Sequence, residues 1–372
     1  MVSISKVKYK VDRDLVAWLL SRKKEDFPQG TDYISQFNTL RSRLAEILKE
    51  VDRAALFFSA KELIAQGSTN IDDLVYLTNH GPEHVTQVIQ RATDLLIDSK
   101  CKLSPYECYI LLVAILFHDI GNLYGRAKHE TKALEIMSAL GDLAGADRLE
   151  QRTILKIALV HGGSYHGSKD TISRLQAQDA VLGITVRKRF LAAILRLADE
   201  LADDCSRASR YMLRKGLLPK GSEIFHVYSD SLKSVQIEDG EIRLRFDLEQ
   251  DVALREFTKG DKTQYLIDEI NSRVLKMHRE RIYCMRYMHK EVNLESIRVD
   301  ITIHSPVDTI AGEDNQESIL LSPERIQYTL SEIGYPGCED SVMLYNCCGQ
   351  TTLKTGLDIK NILEAKRSDR NG

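Results

Sequence analysis

At 372 residues, 43% hydrophobic and 28% charged with a formal net charge of −3, the chain has the make-up of an ordinary globular protein with room for two domains, and no global charge draws it onto nucleic acid. No apolar run approaches the roughly 18 residues of a membrane span, and residues 1–12 carry charges but no apolar signal stretch. Seven irregularly spaced cysteines, among them the adjacent Cys347 and Cys348, make no disulfide framework, so a cytoplasmic chain with no membrane partner is expected.

Residues 1–70 read as an N-terminal helical cap. Asp12-Arg13-Asp14 leads into the apolar Leu15–Leu20, and between Thr39 and Phe58 the residues Leu40, Leu44, Ile47, Leu48 and Val51 recur at helical spacing. Such amphipathic helices cover a neighbouring domain or pair with a further copy of the chain, and neither use involves chemistry. Residues 71–215 form a second helical block. His80-Gly81-Pro82 opens a helix that carries His84 and runs to Leu96, because proline is tolerated in a first turn. Tyr106 to His118 is almost continuously apolar and ends in His118-Asp119-Ile120-Gly121. A loop then leads to His129 and a helix through Leu140. Ile154 to Val160 is an apolar helix again and ends in His161-Gly162-Gly163; Phe190 to Ala198 is nearly all apolar and is followed by Asp199, with Asp203 expected one turn further on the same face.

From residue 216 the period changes. Ile224–Tyr228 and Ser234–Ile237 read as strands, Asp239-Gly240 as a hairpin turn, and Ile242, Leu244 and Phe246 alternate with charged residues. A helix from Asp261 to His289 and a strand from Ile297 to Ile303 complete an α+β domain, residues 216–305, expected as a small antiparallel sheet on one long helix. Residues 306–372 form a C-terminal extension, with a helix start at Ser322-Pro323-Glu324 and a disordered end. The fold class is therefore mainly α: an all-helical core followed by a smaller α+β part.

Three buried helices each deliver an imidazole or a carboxylate at or near their C-terminal ends. Burying such groups costs several kcal/mol unless they are paired, and one divalent cation pairs with several at once. The ordered set His84, His118-Asp119 and Asp199, with the flanking Arg196-Leu197-Ala198-Asp199-Glu200-Leu201, resembles the signature of the HD-domain phosphohydrolases over residues 71–205. That resemblance implies a helical HD domain in which His84, His118, Asp119 and Asp199 hold a divalent metal: Mn, Fe, Ni, Co, Mg or Zn. Relatives with two metals add histidines where His129 and His161 stand here, and Asp119 would then bridge the ions and share in catalysis. His80, four residues before His84, resembles the proton donor of cyclic-nucleotide phosphodiesterases; the other reading is a residue at a helix start.

Lys128 is a further catalytic candidate, with Arg126, Lys132 and His166 as contacts to an anionic substrate. Ordinary surface positions account for the same residues. Asp203 is expected to orient a ligand from behind. Arg187-Lys188-Arg189 and Arg207, Arg210, Arg214 and Lys215 read as solvated faces or as guides for a polyanion. A weaker resemblance of Asn271-Ser272-Arg273 and His278–Cys284 to HD modules of bacterial conflict and anti-phage systems points to defence. The expected activity is hydrolysis of a phosphoester in a nucleotide or nucleic-acid substrate. The alternative is a regulatory nucleotide-binding module with a structural metal site.

Overall fold

The computed structural model describes residues 8–65, 81–97, 99–121, 129–145, 147–164, 166–203, 207–259, 262–288, 290–304, 323–331 and 354–371. The chain divides into two units, one made of Met1–Thr69, Asn79–Asp203 and Glu280–Leu294, the other of Asn70–Thr78, Asp204–Arg279 and Glu295–Gly372. The first unit contains β1 (Tyr9–Lys10), α1 (Leu15–Leu20), α2 (Tyr33–Ala65), α3 (Pro82–Ile97), β2 (Lys102–Leu103), α4 (Pro105–Phe117), α5 (His129–Leu140), α6 (Arg148–Leu159), β3 (Asp179–Val181), β4 (Ile184–Val186) and α7 (Lys188–Leu201).

Helix α4 is the axis of this unit. The segment Ser104-Pro105-Tyr106-Glu107 is a capping box with proline in the first turn: Ser104 Oγ accepts from the Glu107 N–H at 3.0 Å, and the Glu107 carboxylate accepts from the Ser104 N–H at 3.2 Å. Every residue of α4 is buried, and α1, α2, α3, α6 and α7 all pack on it. A helix apolar on all faces has to be enclosed in this way. One buried carboxylate among these helices is shared by two tyrosines. Tyr33 on α2 and Tyr106 on α4 both donate to the fully buried Glu150 Oε2 on α6, at 2.6 and 2.5 Å.

The basic run at the start of α7 is not a solvated face. Lys188 is 3% exposed and donates to Asp179 at 2.7 Å and Gln176 at 3.3 Å. Arg189 donates to the carbonyls of Leu175 and Ser173. Arg187 clamps Glu107 from Nε at 2.7 Å and Nη2 at 2.9 Å, and also pairs with Glu291. Desolvation explains the arrangement, because a cation in a packed layer persists only where carboxylates or carbonyls meet it.

In the second unit, α8 (Arg210–Lys215) and α9 (Lys220–Ser231) precede β5 (Leu232–Glu238) and β6 (Glu241–Glu249). There follow α10 (Gln250–Leu254), β7 (Glu256–Lys259), β8 (Lys262–Tyr265), α11 (Leu266–Met288, of which the part from Glu280 on belongs to the first unit), β9 (Ser296–His304), β10 (Glu324–Leu330) and α12 (Gly356–Asn371). The β5–β6 hairpin turns at Asp239-Gly240, both at positive φ (51° and 78°), as a tight Asp-Gly turn requires.

Four expectations need correcting in this unit. Residues 224–228 lie in α9, where the spacing of Ile224, Val227, Tyr228 and Ser231 buries a helical stripe against β5, β6 and β7. The sheet, ordered β10-β9-β6-β5, is mixed and not antiparallel: β6 and β9 run parallel because the long connection through α11 returns the chain in the same direction. Glu324, expected in a helix start, opens strand β10, whose Ile326, Tyr328 and Leu330 alternate into the buried face; Ser322 lies outside the described residues. The end of the chain, expected as disordered, is helical through Asn371. Among the described residues no helix is long and apolar enough to cross a membrane.

Burial opposes charge on Glu107, yet Arg187 and Lys8 hold its carboxyl below the usual 4.5. The stabilisation is therefore complete above pH 4.5 and is lost as the pH falls through the lower folded value. Glu107→Gln should destabilise the chain by about 3 kcal/mol near pH 7, the scale of breaking a buried pair. In urea unfolding, the gap between wild type and variant should close as the pH falls below 4.5.

Candidate metal centre

Four helices of the first unit bring their ends together. Helix α3 supplies His84 from its first turn, α4 supplies His118 at its C-cap with Asp119 directly after, α6 is followed by His161, and α7 carries Asp199 in its last turn. His84 and His118 are each 1% exposed, and Asp119 is 9% exposed.

The two histidines at helix ends are held alike. His118 Nδ1 lies 2.7 Å from the carbonyl of Ile115, and His161 Nδ1 lies 2.5 Å from that of Ala158. Each carbonyl stands three residues back, among the last four of a helix, which have no intrahelical N–H partner. A carbonyl only accepts, so Nδ1 carries the proton and donates, and Nε2 is turned inward.

His84 Nε2 and His118 Nε2 are 3.3 Å apart. Asp199 Oδ1 lies 3.1 Å from the first and 3.6 Å from the second. Asp119 Oδ2 faces the same two nitrogens at 3.8 and 3.5 Å, while its other oxygen, Oδ1, faces His161 Nε2 at 3.8 Å. The ring of His161 stands edge-on to that of His118, with centroids 5.1 Å apart.

The electrostatics favour a cation. Burial works against charge on His118, but Asp119 and Asp199 outweigh it and raise its pKa to about 9. Burial also opposes ionisation of Asp199, and His118 and His84 nonetheless hold its carboxyl well below the usual range. His161 is pushed down, chiefly by burial and then by the neighbouring His118. The C-terminal ends of α4, α6 and α7 add the negative poles of three helix dipoles.

Donor chemistry and spacing both suit a divalent ion. Ligands about 2.1 Å from one ion sit about 3.0–3.4 Å apart along its coordination edges, close to the separations among His84, His118 and Asp199. His84, His118 and Asp119 together form a group able to hold a metal ion.

The structure thus brings together His84, His118, Asp119, Asp199 and His161 out of the residues singled out in the sequence. His129 opens α5, but its side chain lies outside the described residues, as do His80, Arg126 and Lys128 entirely. Lys132 binds Glu135 through both carboxylate oxygens, at 2.9 and 2.8 Å. His166 is exposed, at φ +48° in its loop. Asp203 is not one turn further along the helix, because α7 ends at Leu201 and the chain has already turned away.

One residue that holds the centre was passed over. Arg196, one turn before Asp199, grips Glu280 through Nε and Nη2 at 2.6 and 2.8 Å, and its Nη1 donates to the Lys169 carbonyl and to Thr171 Oγ1. Thr171 in turn donates to the carbonyl of Val160, beside His161. An arginine interrupting the apolar stretch Phe190–Ala198 was the available signal.

The HD-CE family model matches residues 74–291, more than half of the sequence. The chain belongs to the HD-CE family. The match spans all five residues gathered at this centre. No curated protein and no solved structure matches the chain.

His118→Ala and Asp119→Ala should each weaken Mn²⁺ binding by tenfold or more, roughly the penalty for losing one ligand or its support. Lys132→Ala should leave it unchanged. Mn²⁺ titration followed by the rise in unfolding temperature checks both, because an ion bound only to the folded chain stabilises it in proportion to its affinity.

Proposed function

We propose that this HD-CE protein is a metal-dependent phosphohydrolase that cleaves a phosphoester bond in a nucleotide or nucleic acid. The observation that carries the reading is the inward-facing set of imidazole nitrogens and carboxylate oxygens from four helix ends, a donor set suited to Mn, Fe, Ni, Co, Mg or Zn. A divalent ion in such a set supplies a polarised phosphoryl oxygen and a bound water of lowered pKa, the two requirements of phosphoester hydrolysis.

The rest of the chemistry belongs to the chain. His118 and His161 are fixed by their own helix carbonyls, so neither ring must reorganise to present Nε2. The two oxygens of Asp119 face different histidines, so if two ions are bound Asp119 would be a ligand to both and His161 would serve the second. The sequence position of His129, at the start of α5, makes it a further candidate ligand for that ion. The Asp199 side chain is 26% exposed, the most of the five, and is the ligand from which a phosphate group would approach. A role in bacterial conflict rests only on the resemblance of residues 271–284.

The test is metal analysis of the purified chain joined to a hydrolysis screen of bis-p-nitrophenyl phosphate, nucleoside triphosphates, cyclic nucleotides, and single-stranded DNA and RNA with added Mn²⁺, Mg²⁺, Ni²⁺ or Co²⁺. About two ions per chain and turnover of one substrate class are expected. Asp119→Ala should lower kcat by roughly a hundredfold to a thousandfold, the scale of losing one charge-stabilising group. Undiminished turnover in a metal-stripped Asp119→Ala preparation would defeat the proposal. Bound metal with no turnover of any class would favour the regulatory nucleotide-binding module instead.

A further inference from the structure

Next to the His161 loop the first unit contains a cavity of about 570 Å³ whose wall includes Val160 and Gly162, the two residues flanking His161. Lys156, Arg174 and Lys188 line it, and among the described residues no aspartate or glutamate does. Lys188 is 3% exposed and held in place by Asp179 and Gln176, so one ammonium is fixed in the wall. Lys156 and Arg174 are exposed. Asp179, which pairs with Lys188 at 2.7 Å, is not among the described lining residues.

The opposite character is also present. Leu159, Val160 and Leu175 make an apolar stretch of the wall, and Ser164 and Gln176 add a hydroxyl and an amide. A cavity of a few hundred Å³ with an apolar wall and a few convergent charges is the usual form of a small-molecule site. Concentrated positive charge in a concave wall raises the local concentration of anions, and a fixed ammonium needs little reordering to meet one.

We infer that this cavity is a binding site for a phosphate-bearing ligand of nucleotide size, with Lys156, Arg174 and Lys188 receiving the phosphates and Leu159 and Leu175 the organic part. The site is separate from the metal cluster in its ligating groups, and the inference does not depend on hydrolysis there. It borders the centre at Val160-His161-Gly162 and, through the lining residue Thr171, at Arg196.

The test is calorimetric titration of the full chain with inorganic triphosphate and, in a parallel arm, with adenosine triphosphate. Both should bind saturably and more weakly at higher salt. The double variant Lys156→Glu/Arg174→Glu should weaken binding roughly tenfold or more, as expected when two charged hydrogen-bond donors are lost and reversed, while its Mn²⁺ affinity and unfolding temperature stay at wild-type values. Lys156→Ala/Arg174→Ala should show a smaller loss in the same direction. Tighter binding of adenosine triphosphate would assign the site to nucleotides, and equal binding to the phosphate chain alone. Absence of saturable binding, or unchanged affinity in a folded double variant, would overturn the inference, the latter by placing the anion elsewhere on the chain. Asp119→Ala separates the two proposals, because it should lower kcat by roughly a hundredfold or more and leave triphosphate binding intact.

Discussion

The centre depends on a short local bond made twice. At the end of α4 the His118 ring closes onto the carbonyl of Ile115, and at the end of α6 the His161 ring closes onto that of Ala158. The last carbonyls of any helix lack partners within the helix; the imidazole of His118 meets the carbonyl of Ile115, and the ring of His161 adds to the backbone N–H groups that already reach the carbonyl of Ala158. The same bond fixes which nitrogen carries the proton and where the other one points. Because α4 is buried along its whole length, the His118 ring is as immobile as the core it terminates.

Helix α7 does more than deliver Asp199. One turn earlier, Arg196 ties Glu280 to the backbone at Lys169 and the hydroxyl of Thr171, and Thr171 reaches the carbonyl just before His161. Asp170 meanwhile accepts from the hydroxyls of Tyr283 and Tyr287 at 2.8 and 3.1 Å. The loop after His161 is therefore pinned from two sides by groups that are themselves paired. A buried arginine satisfied by a carboxylate, a carbonyl and a hydroxyl has few alternative arrangements, which is why a polar network confers rigidity only when every member is met.

Much of this was legible in the sequence, for a physical reason. An apolar run ending abruptly in His or Asp marks a core helix with an expensive terminus, and Leu111–Asp119, Ile154–His161 and Phe190–Asp199 are three such runs whose ends do meet. The ring-to-carbonyl bonds were not legible, because spacing alone says nothing about which nitrogen faces inward. Ile224-Phe225-His226-Val227-Tyr228 is rich in strand-forming residues, yet tertiary burial at intervals of three and four decided for a helix. The Arg187-Lys188-Arg189 run looked solvated because its partners Glu107, Asp179 and Glu291 lie far away in sequence or across a turn. Charge pairing at long range leaves no local signature.

The placement of the adjacent His118-Asp119 pair at a helix end follows from helix geometry. Inside a helix, neighbouring side chains diverge by about 100°, so two consecutive residues cannot both face one point. His118 is the C-cap of α4, still with helical dihedrals, and its ring folds back along the helix. Asp119 comes after the last helical residue, where the chain is free to turn, and its carboxylate reaches His118 and His84 with one oxygen and His161 with the other. Moved one turn into α4, the same two residues would be splayed apart in an apolar layer with no partner for either charge. The doublet can act as a unit only where a buried helix stops, which makes the length of α4, set at its other end by the Ser104 capping box, part of the construction of the centre.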